Sequence, residues 1–397
     1  MPVIVQKYGG TSVGSIDKIK AIAEKLRARR EAGYDLVVIV SAMAGTTDHL
    51  LSLAHQVSET PQKRELDMLL TTGERTTMAL LSMALNDLGI PAISFTGSQS
   101  GIITNDSHAN ARIIDVRPWR VMDELEKGKV VIIAGFQGVS YRRDVTTLGR
   151  GGSDTTAVAM AAALGAEACE IYSDVDGVFS GDPRVVGQAR KLREIDYEEM
   201  QEMSECGAKV LNAQAVEFAK KAGIPIDALS TFEGGTGTRV TSLKDAQGAR
   251  VASVAGQKNL ALISASPATL SDLAKAAQAL TEMDSPPLDL SLSCGRLWAL
   301  SSLDNVHGVQ AFETSLAAAL SPLSPTVDYS FGRVTAVGRE IGRDAAILLA
   351  ASQALSDAHI SPAHVHADKN RLSFVVSLTE LPEAVRAVHR ALVEGES

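Results

Sequence analysis

The chain has 397 residues, 45% of them hydrophobic and 21% charged, with a formal net charge of -9. That length allows more than one core, and the composition is ordinary for a soluble globular protein. The negative balance argues against nucleic acid or an anionic membrane as a bulk partner, and no apolar run is long enough to cross a bilayer.

Cys169, Cys206 and Cys294 are too far apart for a CxxC metal site or a disulfide framework. They are expected to be reduced and buried. No basic segment followed by an apolar one opens the chain as a leader would, so a cytoplasmic protein is expected.

Val3-Ile4-Val5 reads as a strand, and "KYGGTSVGS" (7–15) follows it. Gly9 and Gly10 allow close backbone approach to a ligand, the next helix offers its N-terminus to an anion, and Lys7 adds a compact positive charge. A strand-to-helix turn with a solvated lysine is the structural alternative. Ile16, Ile19, Ala23 and Leu26 then share one helical face, with Gly33 as a stop. "DLVVIVSA" (35–42) reads as a strand buried on both faces.

Helical patterns continue through "TTDHLLSLAHQV" and "RELDMLLTTGERTTMALLSMALNDLG". Within the second, Gly73 costs about 1 kcal/mol relative to alanine if it lies mid-helix. A helix break that turns Glu74 toward a pocket would explain it, and so would a solvated kink. Short strands recur at "PAISF", "VVIIA", "ACEIY" and "PIDAL". Strand and helix in alternation predict an α/β layered domain with a largely parallel sheet.

"GRGGSDTTA" (149–157) opens an alanine-rich helix, with Ser153 or Asp154 as the expected cap. Arg150 in such a loop suits a carboxylate, which it can grip with two parallel hydrogen bonds. "YSDVDGVFSGDPR" (172–184) follows a strand and gathers Asp174, Asp176, Asp182 and Arg184 among turn formers. It lacks the spacing of a calcium loop. At the carboxyl end of a strand it suits a nucleotide with its magnesium; an Asp- and Gly-rich surface turn is the alternative. The P-loop, the G-x-G-x-x-G fingerprint and the protein-kinase motifs are all absent.

After about residue 249 the glycine-rich loops thin out. One unit of strand, helix and strands runs from "LALISAS" through "LSDLAKAAQAL" to "RLWALSSL". Another runs from "RVTAVGRE" through "DAAILLAASQALSDA" to "AHVHAD" and "RLSFVVSL", with a final helix at "LPEAVRAVHRALVEG". Neither holds a cluster of catalytic residue types. His364 and His366 fall on one side of a strand and read as sheet or surface histidines in preference to a zinc site.

Taken together, "KYGGTSVGS", "SAMAGTTD", "LLTTGERTT", "SFTGSQSGI", "AGFQGV", "TTLGRGGSDTTA" and "EIYSDVDGVFSGDPR" resemble the aspartate kinases in order and spacing, over about the first 240 residues. The resemblance implies the amino-acid kinase fold, a three-layer α/β/α sandwich, over residues 1–245. It implies tandem ACT-like modules over 246–397, with 260–325 inserted as the first and 249–258 plus 330–397 forming the second. It further implies ATP and Mg2+, L-aspartate as acceptor, and a homodimer formed through the ACT-like modules.

The roles it implies are these. Lys7, Gly9 and Gly10 line the phosphate path, and Asp154 orders Lys7. Ser41, Thr47, Glu74, Arg150, Gly151, Gly152 and Ser153 hold aspartate, with Glu74 at its ammonium and Arg150 at its α-carboxylate. Ser173, Asp174, Asp182, Arg184 and Lys209 bind ATP with its magnesium. The lack of a catalytic histidine fits, because the acceptor is already a carboxylate at neutral pH and transfer depends on alignment and charge neutralisation. Another amino-acid kinase, acting on acetylglutamate, glutamate, carbamate or UMP, is the alternative in the same class. A non-catalytic amino-acid sensor is the alternative outside it. His364, His366, Asp368 and Lys369 stand where regulated members tend to carry small hydroxyl residues, so feedback by lysine or threonine is expected to be weak or absent.

Overall fold

A computed structural model describes residues 1–149, 151–208, 210–243, 250–283, 285–304, 306 and 308–394. Two compact units emerge: Met1–Phe179, Arg190–Glu205 and Lys209–Gln247 form one, and Ser180–Ala189, Cys206–Ala208 and Gly248–Ser397 the other.

The first unit opens with β1 (Val3–Tyr8), α1 (Ile16–Glu31), β2 (Asp35–Val40), α2 (Thr46–Val57), α3 (Lys63–Leu70), α4 (Thr72–Asp87) and β3 (Ala92–Phe95). It continues with β4 (Ile102–Thr104), β5 (Ile113–Val116), α5 (Trp119–Glu126), β6 (Val130–Ala134), β7 (Gln137–Ser140), β8 (Val145–Thr147) and α6 (Gly152–Leu164). It ends with β9 (Ala168–Ser173), β10 (Glu194–Asp196), α7 (Tyr197–Glu205), α8 (Ala213–Ala222), β11 (Ile226–Ser230) and β12 (Thr238–Thr241).

Eight strands form the main sheet in the order β10-β12-β11-β9-β1-β2-β6-β3. All neighbouring pairs are parallel except β11 with β12. Alternation along β1 sorts its side chains. Ile4 and Tyr8 join Ile19, Ile22 and Leu26 of α1 and Leu81 and Leu85 of α4 in one core cluster. Val5 and Lys7 point to the opposite face, where α6 packs on β1, β2 and β9. Helix α6 is buried from Gly152 to Ala161, and its run of alanines lets it sit close to both the sheet and α8. The result is helix, sheet, helix.

Strand order reverses direction at β1: the chain first fills one side with β2, β3 and then β6 between them, and afterwards the other side with β9 and β11. Ligands of open α/β sheets bind outside the carboxyl ends of the strands at such a switch point. A second, four-stranded sheet, β5-β4-β7-β8, has strands of only three or four residues. It was not visible in the sequence pattern, because runs this short carry little periodicity.

The second unit comprises β13 (Arg250–Gln257), β14 (Leu260–Ala265), α9 (Leu270–Glu282), β15 (Pro287–Ser293), β16 (Arg296–Ser302), α10 (Val309–Ala319) and β17 (Thr326–Asp328). There follow β18 (Phe331–Arg339), α11 (Ala345–Asp357), β19 (His364–Asp368), β20 (Arg371–Ser377) and α12 (Leu381–His389). Two antiparallel sheets result, β15-β16-β14-β17 and β13-β18-β20-β19. Strand β13 pairs with β18, so everything from β14 to β17 stands between two adjacent strands of one sheet.

Helices α9 and α10 cover the β14–β17 sheet through Ala276, Leu280, Phe312 and Leu316. Helices α11 and α12 cover the other sheet through Ala351, Leu355, Val385 and Val388. Helix α10 was not anticipated. Cys169 and Cys206 are buried as expected, whereas Cys294 is exposed. It occupies the turn between β15 and β16 with a left-handed φ of 49°, and a tight hairpin turn faces solvent. Among the described residues no helix is long and apolar enough to cross a membrane.

Candidate active site

Lys7 lies next to the end of β1, in register with Ile39 of β2 and Ile171 of β9. Its Nζ is 2.7 Å from Asp154 Oδ1 in the first turn of α6, and only 13% and 11% of the two side chains are exposed. This ion pair marks the switch point. Its members are too enclosed to be read as a solvated surface pair, so water screens their attraction little and the lysine is held in one place.

The backbone beyond β1 is laced to its neighbours. Gly9 N–H donates to Tyr172 carbonyl at 3.2 Å, and Ala44 N–H donates to Gly10 carbonyl at 3.2 Å. Ser41 N–H donates to Tyr8 carbonyl at 3.1 Å. A Cβ on Gly10 would lie 2.9 Å from Ala42 carbonyl oxygen, so any side chain there would push the two loops apart. The loop of "KYGGTSVGS" therefore lies directly against "SAMAGTTD".

Glu74 completes this wall. The chain breaks at Thr71 between α3 and α4, so Gly73 and Glu74 belong to the first turn of α4 and not to a helix middle. Gly73 is needed for contact: a Cβ there would approach Ala42 Cβ to 2.8 Å. Glu74 is buried, with 3% of the residue exposed, and its Oε1 accepts from Ala42 N–H at 3.2 Å. Its other oxygen, Oε2, is buried with no hydrogen-bond partner. Burial pushes the carboxyl up to about 7, opposed by hydrogen bonds from its own backbone and from Ala42 N–H. A buried acid oxygen with nothing to bind is costly unless a ligand supplies the partner. The complement of a carboxylate is a cation or a strong donor.

The start of α6 differs from the sequence expectation. The helix is capped by Gly151, with φ 73°, and no side chain caps it. Ser153 and Asp154 lie inside the first turn. That frees Asp154 to bind Lys7, which a capping carboxylate could not do. Ser41 and Thr47 sit on the loop after β2 and in the first turn of α2. Ser173 ends β9, its Oγ accepting from Val175 N–H at 3.1 Å, and Asp174 is exposed beside it. Asp182 and Arg184 cluster with the second unit and pair side by side, with Arg184 Nη2 2.8 Å from Asp182 Oδ2. Arg150 and Lys209 lie outside the described residues.

One group was missed. Asp67, fully buried on α3, accepts from Thr147 Oγ1 at 2.6 Å and Ala109 N–H at 3.0 Å and meets His108 Nδ1 at 2.6 Å. Thr147 ends β8, two residues before the "GRGG" loop. The signal available in the sequence was an acid three residues from Leu70 on the buried face of a short helix.

The sequence model of the amino acid kinase family matches residues 2–227, and the chain belongs to that family. An aspartokinase of Mycolicibacterium smegmatis is 42% identical over 417 residues, covering 100% of this chain and 97% of the relative. An aspartate kinase of Pseudomonas putida is 54% identical over 241 residues, 61% of this chain and 59% of its own length. Among solved structures, E. coli aspartokinase III in complex with aspartate and ADP superposes with a TM-score of 0.84 at 22% identity, covering 98% of this chain and 99% of that one; it shares the fold. Within the amino acid kinase family, the chain belongs to the aspartokinases.

Proposed function

We propose that the protein transfers the γ-phosphoryl group of ATP to the β-carboxylate of L-aspartate, giving 4-phospho-L-aspartate and ADP. A carboxylate oxygen of aspartate forms the new bond to phosphorus as the bond to the β,γ-bridging oxygen breaks. Both partners are anions, so the residues have to hold them in line and balance their charge. The observation that carries this reading is the unpartnered Oε2 of Glu74, set one loop away from the Lys7–Asp154 pair. An α-amino acid supplies the ammonium that the oxygen lacks.

In this reading Lys7 faces the transferred group, Asp154 fixes the lysine, and Gly9 and Gly10 let backbone N–H groups approach phosphate. Ser41, Thr47, Gly151, Gly152 and Ser153 line the aspartate side, and Arg150 grips the α-carboxylate. Ser173, Asp174 and Lys209 bind the nucleotide. The oxygen donors Ser173 and Asp174 suit a hard cation, and Mg2+ arriving with ATP would neutralise phosphate charge there.

The test is ATP turnover with hydroxylamine trapping of the acyl phosphate. Aspartate should give hydroxamate, whereas acetylglutamate, glutamate and UMP should not. Turnover with UMP, or none with any acceptor, would favour another amino-acid kinase or a sensor.

The second unit reads as a pair of ACT-like modules, spanning about 246–397, that supports a cytoplasmic homodimer. His364, His366, Asp368 and Lys369 on and just after β19 stand where regulated members tend to carry small hydroxyl residues. Feedback is therefore expected to be weak. Titrating lysine and threonine, singly and together, against kinase activity should leave it nearly unchanged at sub-millimolar concentrations; clear inhibition there would overturn this part.

A further inference from the structure

Three potential metal ligands converge within the second unit. His364 and His366 share one face of β19, and Asp289 of β15 meets them from the other sheet. One ligand atom from each falls within 4.8 Å of the other two. His366 Nδ1 is already 3.1 Å from Asp289 Oδ1. We infer that Asp289, His364 and His366 form a binding site for a divalent transition-metal ion of the zinc class, tying the two small sheets together.

Three features support this. First, spacing: a tetrahedral ion with metal–ligand bonds of roughly 2.0–2.1 Å needs its ligand atoms about 3.4 Å apart. The three groups stand within a small side-chain adjustment of that arrangement. Second, preparation: the pairing of β15 with β16 shifts register between Pro287 and Asp289, so a bulge stands next to the acid. Bulges re-aim side chains. Only 8% of the Asp289 side chain is exposed, against 34% for His366. The acid is thus held inside while the imidazole faces an entry path.

Third, orientation: the Trp298 ring stacks on His364 with centroids 3.9 Å apart. The stacking fixes the plane of the imidazole that would carry a ligand nitrogen. Two imidazoles and one carboxylate select a transition metal over Mg2+ or Ca2+, which prefer oxygen alone. Three protein ligands leave a position for water or another small donor. Ligation through His366 Nδ1 places that ring's proton on Nε2 and exchanges the Nδ1···Oδ1 contact for two metal bonds.

The experiment is Zn2+ binding to the full chain after chelator treatment, by competition with a chromophoric chelator. One Zn2+ should bind per chain in the wild type and in Cys294→Ser. His366→Gln, His364→Gln and Asp289→Asn should each bind roughly 100-fold more weakly or worse, with kinase activity retained. Co2+ on the wild type supplies a second readout, a visible spectrum of a nitrogen and oxygen set without a sulfur charge-transfer band. No saturable Zn2+ binding by the wild type would overturn the proposal. So would unchanged affinity in the three variants, or a sulfur band that disappears in Cys294→Ser.

Discussion

Asp67 and Glu74 stand seven positions apart on consecutive helices, and both are buried. Their surroundings differ in one respect. Asp67 meets Thr147, Ala109 and His108, whereas Glu74 has only backbone donors and an oxygen left over. Burial raises both carboxyl groups. For Asp67 the three partners pull back against that rise. The comparison teaches how to separate a structural acid from a ligand-binding one: burial is common to both, and the count of satisfied lone pairs divides them.

The strongest test of this division is Glu74→Gln. Losing the partner of a buried ammonium should lower kcat/KM for aspartate on the order of 1000-fold, mostly through KM, as expected for breaking a desolvated charge pair. The same variant should be more stable. A carboxyl raised from 4.5 to about 7 in the fold is charged less readily there than in the unfolded chain, so the fold loses stability as pH rises through that window. At pH 8 the amide should gain on the order of 2 kcal/mol in urea unfolding. A loss of stability instead would mean that Glu74 is structural after all.

Asp154 sharpens the division, being a buried acid whose partner is the cation of Lys7. Asp154→Asn should lower kcat by about 100-fold with a small change in aspartate KM, which is the size expected for disturbing a preorganised electrostatic group. Steady-state kinetics with both substrates varied will separate the two constants.

Asp67→Asn should behave in the opposite sense to Glu74→Gln. Its amide turns a donor toward Ala109 N–H or Thr147, costing about 2 kcal/mol. The lowered stability should show in thermal or urea unfolding. Activity per folded molecule should fall far less than in Glu74→Gln; equal losses would place Asp67 in the ligand site.

The gentlest test is pH. On the proposed reading aspartate binds to ionised Glu74, so kcat/KM for aspartate should rise about tenfold per unit below an apparent value near 7 and level off above it. kcat/KM for ATP should lack this limb, and Glu74→Gln should remove it for aspartate.

Much of this was legible in the sequence. The strands at 3–5 and 35–42 and the helix between them followed from hydrophobic pattern alone, because a central parallel strand must be apolar on both faces. Glu74 stood out through the cost of its neighbour Gly73, and the break at Thr71 explains the pair. What could not be read depended on partners far away in sequence. Asp67 looks like any helical acid until His108 and Thr147 arrive. His364 and His366 look like surface histidines until β15 brings Asp289. The start of α6 was misplaced because Ser153 and Asp154 have capping chemistry, and only the bond to Lys7 shows that Asp154 is committed elsewhere.

The position of β1 also has a consequence for how the molecule comes into being. This strand is paired on one side by β2, the next strand in the chain, and on the other by β9, which comes much later. Gln6 reaches Glu170 across 164 positions of sequence. Asp154, the partner of Lys7, is made only shortly before β9. Lys7 must therefore wait, on a strand with one edge unpaired, until β9 has been made. Contacts of such long range are slow to close, and an open apolar edge invites pairing with other chains. Aggregation during synthesis is thus the hazard built into placing the lysine at the centre of the sheet, and β9 is the segment whose arrival ends it.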